Sequence, residues 1–354
     1  LRILHLDTGR EWRGGQRQAL FLHNGLTELG HKSLMVCQKD GELEERADNY
    51  LTLRFKSEAD PVYIYKLLKI IKNFRPDIVH SHDSHSLTPA IAAATLESSF
   101  RLVHTRRVDF PLKKRLFNKY RSRRVKLVAI SKAVRRIMAE SGIPEEKIAL
   151  IYSGSPAPTV LNETMISAMR EKFNPEGRLI IGTVANFADH KDYPTLLRAF
   201  ELLHEKHPEA LLLLVGNGPL FEEIFRMSRG LECAESIVFA GFCVNIPEIL
   251  SVMDIFTMTS KTEGLCTSII DAMNAGLPVV ATSAGGIPEL VEEGETGFLC
   301  DVGDAESLAD KYGKLLSYDS MREAMGKNGR KRAKLFSDSH MVKSYEKLYI
   351  ELVK

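Results

Sequence analysis

The sequence lacks any run of about 18 apolar residues, the length a membrane-crossing helix requires. Its longest run, around Ala210–Val215, has the length of a strand. The opening Arg2-Ile3-Leu4-His5-Leu6 reads as a buried strand, without the long apolar core of a signal peptide. There is no CxxC pair. The five cysteines, Cys37, Cys233, Cys243, Cys266 and Cys300, are odd in number and dispersed, which predicts reduced thiols and a cytoplasmic location. No Asp-x-Asp occurs, and no Gly-x-Gly-x-x-Gly follows a predicted strand, so the dinucleotide fingerprint of an oxidoreductase is missing. Charge of one sign is missing too. The 48 basic and 46 acidic residues leave a formal charge of +2 over 354 residues, which excludes a globally basic nucleic-acid binder. Repeats at solenoid periods and low-complexity tracts are absent.

What is present is the composition of a globular protein, 44% hydrophobic and 27% charged, long enough for two domains. Strand and helix patterns alternate throughout. Arg2–Leu6, Ser33–Cys37, Arg101–His104 and Lys126–Ile130 read as strands, and Pro76–Ser81 turns into one. A helix is expected over Gln16–Leu29, where Ala19, Leu22, Leu26 and Leu29 recur at three- and four-residue spacing before Gly30. Val62–Asn73 and Leu87–Leu96 are further helices. The rhythm lapses between Tyr152 and Asn174, where Ser153–Pro158 suits an interdomain crossing. A second series then runs through strands at Leu179–Val184, Ala210–Val215, Ser236–Ala240, Ile255–Thr259, Pro278–Ala281 and Gly297–Leu299. This order predicts an α/β fold of two doubly wound parallel-sheet domains, 1–152 and 153–338. The cleft between two such domains is the expected site, since ligands of open α/β sheets bind at the carboxyl ends of the strands.

The most informative stretch is Ser260-Lys261-Thr262-Glu263-Gly264-Leu265-Cys266-Thr267-Ser268-Ile269-Ile270-Asp271-Ala272-Met273. A strand ends near Ser260, a carboxylate and a glycine follow, and a helix begins near Cys266. The free N–H groups and dipole of that helix start form an anion site. Glu263 before it and Asp271 within it can flank a bound diphosphate; a loop carboxylate and a surface-helix carboxylate are the plain alternatives. His80, His82, Asp83 and His85 have the look of metal ligands, with a hydrogen-bonded histidine cluster as the alternative. Between Arg106 and Lys126 there are ten Lys or Arg and one acid, Asp109, interleaved with Leu112, Leu116, Phe117, Tyr120 and Val125. Such a segment suits anionic lipid, acceptor phosphates, or simple solvation as a basic helix face.

From Glu263 to Val280 the chain resembles the Glu-x7-Glu segment of the retaining GT-B glycosyltransferases of family four. Asp271 stands at the second carboxylate, one methylene shorter. Gly182-Thr183-Val184-Ala185-Asn186-Phe187 followed by His190-Lys191-Asp192 resembles the family's Gly-x-Val-Gly-Arg-Leu and Lys-Gly. Lys191 holds the lysine position, and Asn186 replaces the arginine. One charge-assisted phosphate contact is thereby absent, a loss of about 1.5–3 kcal/mol if unreplaced. Val215-Gly216-Asn217-Gly218-Pro219 and Ser283–Glu289 match further family turns, and Gly14-Gly15 matches the first glycine pair, with Arg17 where the family often has Glu.

The resemblance covers the whole chain. It implies GT-B architecture, two Rossmann-like domains with the last helix, 339–354, crossing back onto the first. It implies transfer of a sugar from a nucleotide-sugar to a hydroxyl acceptor with retained anomeric configuration. The first Glu of the segment contacts the donor sugar and the second holds the ribose, so these roles fall to Glu263 and Asp271. Lys191 and the helix start at Leu265, Cys266 and Thr267 would face the diphosphate, with Asn186, Gly216, Gly218, Gly14 and Gly15 completing the donor set. His104, in Val103-His104-Thr105, would lie beside the reacting sugar. His85, Arg106 and Arg107 are expected at the acceptor. No metal and no cofactor is expected. The expected partners are the nucleotide-sugar and a cell-envelope glycan or glycolipid of a bacterium. A peripheral membrane contact through 113–126 would place the chain at the inner face of the cytoplasmic membrane. A nucleotide-sugar epimerase and a non-catalytic sugar-binding subunit share the architecture and stay as alternatives.

Overall fold

The structure, a computed structural model, describes residues 1–112, 117–174 and 176–354. It divides into two compact units, residues 1–156 with 336–354, and residues 157–335. Unit 1 begins with β1 (Arg2–Leu6), α1 (Gly14–Glu28), β2 (Lys32–Gln38), β3 (Tyr50–Leu53), α2 (Pro61–Phe74), β4 (Ile78–Ser81) and α3 (Ser84–Leu96). It continues with β5 (Arg101–Arg106), α4 (Phe117–Arg121), β6 (Val125–Ala129), α5 (Lys132–Glu140) and β7 (Ile148–Leu150). Unit 2 opens with α6 (Glu163–Phe173), β8 (Leu179–Val184), α7 (Tyr193–His204), β9 (Ala210–Val215), α8 (Phe221–Arg229) and β10 (Ile237–Gly241). It closes with α9 (Ile246–Leu250), β11 (Ile255–Met258), α10 (Thr267–Ala275), β12 (Val279–Thr282), α11 (Ile287–Leu290), β13 (Gly297–Cys300), α12 (Ala305–Ser317) and α13 (Asp319–Ala333). The last helix, α14 (Asp338–Val353), belongs to unit 1.

Both sheets are parallel, in the orders β3-β2-β1-β4-β5-β6-β7 and β10-β9-β8-β11-β12-β13. Parallel strands covered by helices on both faces read as unbroken apolar runs; β9 is buried at every position. In unit 1 the chain builds outward from β1 on one side, then returns to build from β4 on the other. In unit 2 the corresponding pair is β8 and β11. At these two switch points the connections diverge and leave a crevice at the carboxyl ends of the strands.

Helix boundaries follow local chemistry. The Asp60 carboxylate accepts from Val62 N at 2.9 Å, and Pro61 occupies the first helical position of α2. Asp83 caps α3 through His85 N and Ser86 N, and Ser131 caps α5 through Val134 N. The final helix lays Met341, Val342, Tyr345, Leu348 and Tyr349 into one cluster with Ile3, Leu22, Leu26, Ile78 and Val103. Gly25 admits it: a Cβ there would stand 2.5 Å from Val342 Cγ2.

Several elements depart from the sequence expectation, α5 and β7 among those it did not name. The stretch 152–174, expected to be irregular, contains α6, capped by Asn162 accepting from Met165 N at 2.8 Å. None of its residues is buried, so no apolar stripe betrays it. The sheet edge β3 was not expected either; Tyr50 and Leu51 on it are exposed, and at four residues it is too short for a periodic signal.

Candidate functional site

In unit 2, three loops meet at the carboxyl ends of β8, β11 and β12. Lys261 N donates to His190 O at 2.8 Å, Thr259 Oγ1 donates to Lys191 O at 3.0 Å, and Gly286 N donates to Glu263 O at 2.9 Å. These bonds seat Lys191 and Glu263 against each other as an ion pair at the switch point, each side chain 12% exposed. Ser260 Oγ donates to Glu263 Oε1 at 3.0 Å. Glu263 and Lys191, expected as separate contacts to a ligand, are thus partners of one another.

Leu265 and Cys266 are buried where the loop turns into α10. Cys266 takes a left-handed conformation, φ 74°, and caps the helix without a side-chain bond. That turn leads the backbone directly into Thr267, the first residue of α10. Burial pushes the Cys266 thiol up to about 12, with Glu263 adding to the shift, so it stays protonated. Asp271 lies a turn and a half further along, largely buried.

The Gly216–Gly218 turn packs onto the β8–α7 loop. A Cβ on Gly216, φ 142°, would stand 2.0 Å from Ala185 O, and one on Gly218 would stand 2.0 Å from Asn186 Oδ1. Both glycines are therefore required by close packing of this unit, whatever ligand it holds. The buried Asn186 Oδ1 has no hydrogen-bond partner among the described residues.

In unit 1 the corresponding strand ends carry histidines. Register pairing sets His5 beside His80 across β1 and β4, and Ser81 beside His104 across β4 and β5. His5, His80 and His82 form a buried group whose ligating atoms lie within 4.8 Å of one another. Hydrogen bonding explains the group better than a metal does. Both nitrogens of His80 are engaged, Nε2 with Thr105 Oγ1 at 2.8 Å and Nδ1 with Tyr349 Oη at 2.6 Å. Arg107 Nη2 donates to His82 Nδ1 at 3.4 Å, which leaves His82 Nε2–H to donate to His5 Nδ1 at 2.8 Å. A fixed guanidinium beside the group further opposes a cation. Burial holds His5, His80 and His82 well below their usual range, with neighbouring histidines and Arg107 reinforcing it.

Of the residues with the look of metal ligands, Asp83 holds the β1–α1 loop through Thr8 N and Thr8 Oγ1 at 2.8 and 2.9 Å. His85 faces outward and pairs with Glu58 at 3.0 Å. His104, expected beside a reacting sugar, is 1% exposed, with Nδ1 bonded to Ser81 Oγ at 3.0 Å. Burial brings it to about 3, so it is neutral. Arg106, expected at an acceptor, is 4% exposed and braces Phe110 O and Tyr120 Oη. Arg107 lies next to Gly15, 3.6 Å from where a Cβ there would project, and donates to Ser153 Oγ at 3.3 Å. Gly14 and Gly15 open α1.

Sequence reading missed Asp7. Its Oδ1 accepts from Gly9 N at 2.8 Å and Gln16 Nε2 at 3.0 Å, while Oδ2 is buried without a partner among the described residues. Burial, with Asp83 nearby, raises its carboxyl to about 7. A lone Asp after a strand carries no motif; only its place at the switch point marks it.

Lys113, Lys114 and Arg115 lie outside the described residues. The rest of the basic segment is largely tied to its own unit. Lys119 pairs with Glu58 at 3.1 Å and donates to Ser84 O at 2.6 Å, Arg124 donates to Ala94 O, and Lys126 donates to Glu146 O. Among the described residues no helix is long and apolar enough to cross a membrane.

Two family descriptions match the chain. "Glycosyltransferase Family 4" matches residues 12–155, and "Glycosyl transferases group 1" matches residues 164–332. The N-acetyl-alpha-D-glucosaminyl L-malate synthase of Bacillus anthracis is 29% identical over 212 residues, 60% of this chain and 55% of that protein. The chain thus aligns with about half the length of such curated relatives. Among solved structures, a glycosyltransferase from Rickettsia africae superposes with a TM-score of 0.89 at 22% identity, over 100% of this chain and 98% of that one. Anabaena HepE, solved with UDP and glucose, superposes at 0.87 and 20% identity over 98% of each chain. Both share the GT-B fold of two Rossmann-like domains. With its two halves matched in turn and its fold shared throughout, this chain belongs to the family-four, group-1 glycosyltransferases.

Proposed function

We propose that the protein transfers a sugar from a nucleotide-sugar to a hydroxyl of a cell-envelope glycan or glycolipid, with retention of anomeric configuration. Unit 2 takes the donor and unit 1 the acceptor. The observation that carries this reading is the half-buried Lys191–Glu263 pair at the β8/β11 switch point, in the loops that lead into α10. A diphosphate arriving there meets Lys191 and the free N–H groups at the start of α10. As the glycosidic bond breaks, negative charge gathers on the diphosphate, and these fixed donors stabilise it more than they stabilise the bound substrate. Glu263, released from Lys191 by the incoming anion, orients the donor sugar, and Asp271 holds the ribose. The acceptor hydroxyl attacks from the side the diphosphate leaves, and a phosphate oxygen takes its proton.

In unit 1, Gly14 and Gly15 let backbone approach the ligand and Arg107 supplies positive charge beside them. His104, neutral and bonded to Ser81, acts by holding the floor of the site rather than by transferring a proton. No metal is needed on this reading, because Lys191 and the helix start already supply the positive charge. The enzyme works at the cytoplasmic side of the membrane, in keeping with its free thiols, and the exposed Arg123 of the basic segment would meet anionic lipid.

Thermal-shift screening against UDP-, GDP- and ADP-sugars identifies the donor, and proton NMR of the product gives its anomeric form. Turnover is expected to survive exhaustive chelation. Activity lost to the chelator and restored by magnesium or manganese would overturn the metal-free mechanism. Absence of binding to any nucleotide-sugar would overturn the function.

A further inference from the structure

Unit 1 contains a cavity of about 360 Å³ that none of the roles above uses. It opens where β2 and β3 end and α2 begins. Lys39 N still donates to Leu53 O at 3.2 Å beyond the strands, and Phe55 N donates to the Gln38 side chain at 2.7 Å. The two chain segments therefore leave the sheet side by side and carry their cations to one place. Lys39, Arg54, Lys56 and Lys66 line the cavity, against a single carboxylate, Asp60, whose oxygen is engaged in capping α2. Arg54 has a weak counterion in Asp40 at 3.9 Å. The side chains of Lys39, Lys56 and Lys66 have no hydrogen-bond or ion-pair partner among the described residues.

Tyr63, on the first turn of α2, also lines the cavity. It is 3% exposed, and its hydroxyl has no partner among the described residues. Four cations gathered around one cavity repel each other until an anion enters, and the positive end of α2 adds to the same field. The rest of the chain is close to neutral, so this concentration is local.

We propose that this cavity binds a phosphate group, carried either by a soluble phosphate ester or by a lipid headgroup. Its residues lie outside the Lys191–Glu263 site, so the assignment does not depend on the transferase reading. Lysine ammonium groups and a tyrosine hydroxyl all donate, which matches the acceptor-only oxygens of a phosphate. The phosphate would sit where β2 and β3 end and α2 begins.

The test is calorimetric titration of the full chain with inorganic pyrophosphate and with glycerol 1-phosphate. The variants are Lys39→Ser/Lys56→Ser/Lys66→Ser, Tyr63→Phe and Lys191→Ala. A parallel arm measures co-sedimentation with phosphatidylcholine vesicles, with and without phosphatidylglycerol. The three lysines are exposed, so the triple variant should fold; an unchanged melting temperature checks this. The triple variant is expected to lose one binding event that Lys191→Ala keeps, and Tyr63→Phe to weaken that event by about tenfold. Loss seen with the soluble esters identifies a soluble ligand. Loss seen only with phosphatidylglycerol vesicles identifies a lipid headgroup. If the triple variant matches the unmodified protein in both arms, the cavity is not a phosphate site, and the Lys191 event stands or falls separately.

Discussion

The two switch points of this molecule are built from opposite materials. In unit 2 the strand ends carry a formal ion pair, Lys191 with Glu263, held by loops that bond to one another. In unit 1 they carry histidines stripped of charge by burial and an aspartate raised to about 7, beside the buried Arg107 guanidinium. A partly exposed pair in a crevice can exchange partners with an incoming anion at modest cost. A buried hydrogen-bonded relay resists such exchange, because His80 and His82 already hold neighbours through both ring nitrogens. Unit 2 is thus equipped to respond to charge and unit 1 to hold shape. The final helix strengthens the second role: Tyr349 and Tyr345 reach His80 and Thr105, tying β4 and β5 to the end of the chain.

The largest expected effect sets the two units apart by pH. His5, His80, His82 and His104 all have folded values below the ordinary 6.5. Below that pH the unfolded chain binds protons that the folded unit refuses, so stability falls as pH falls. Each group contributes up to ~1.4 kcal/mol per pH unit. For His104 the loss runs down to about pH 3. Asp7 works in the other direction. With its folded value near 7 against an ordinary 3.8, it costs stability as pH rises through that window, so on acidification it offsets one histidine. The net slope approaches roughly 4 kcal/mol per pH unit, enough to consume a typical domain's stability within two or three units. Hydrogen exchange resolved by segment should show unit 1 opening before unit 2 between pH 6.5 and 4. Simultaneous opening would mean that the histidines are accessible to protons in the folded state.

Next in size is the ion pair. Lys191→Ala should lower turnover by roughly 10²–10³-fold, as loss of a donor to a developing anion does. Glu263→Gln should depress turnover more than folding. If the two residues act through each other before substrate arrives, the double variant will lose less than the sum of the single losses. Steady-state kinetics on the folded variants decides. Full turnover and donor affinity in both single variants would remove the function from this site.

A smaller effect is expected at Asp271. Asp271→Asn should weaken nucleotide affinity with little change in the rate of the bound complex, since a ribose contact is alike in ground and transition states. Asp271→Glu should be tolerated. Nucleotide titration beside kinetics separates the two; a fall in turnover at saturation would assign Asp271 to the reacting end instead.

How much of this was legible in the sequence depended on whether a feature was contiguous. The stretch from Ser260 to Met273 is one unbroken segment, so its loop, helix start and two carboxylates could be read together, and the parallel alternation of strands followed from their apolar runs. The pairing of Lys191 with Glu263 could not, because the two are 72 residues apart and meet only through the sheet order. The histidine relay was half visible. His80 and His82 stood out by spacing, but His5 joins them through strand register across β1 and β4, which sequence does not display. Arg106 was misleading because a basic run suggests a surface, whereas this guanidinium is enclosed by Phe110 and Tyr120. The edge strand β3 and helix α6 left no signal, since neither buries a continuous apolar face.

The smallest predicted effect lies at Cys266, where the responsive site borrows some rigidity. Its φ of 74° is unusual for a residue with a side chain and costs about 1–2 kcal/mol relative to glycine. Glycine would relieve that strain but would lose about 0.5–1 kcal/mol to added freedom of the unfolded chain, and about 0.8 kcal/mol each for the buried Cβ and Sγ. The losses slightly outweigh the relief, so Cys266→Gly should cost no more than about 1.5 kcal/mol. Cys266→Val keeps the buried carbon yet crowds a left-handed backbone with a branched Cβ, and should cost more than the glycine variant. Chemical denaturation of both variants checks the order. If valine proved as stable as glycine, the left-handed turn would not be what sets the start of α10, and the placement of its first N–H groups would have to come from the Glu263–Gly286 contact alone.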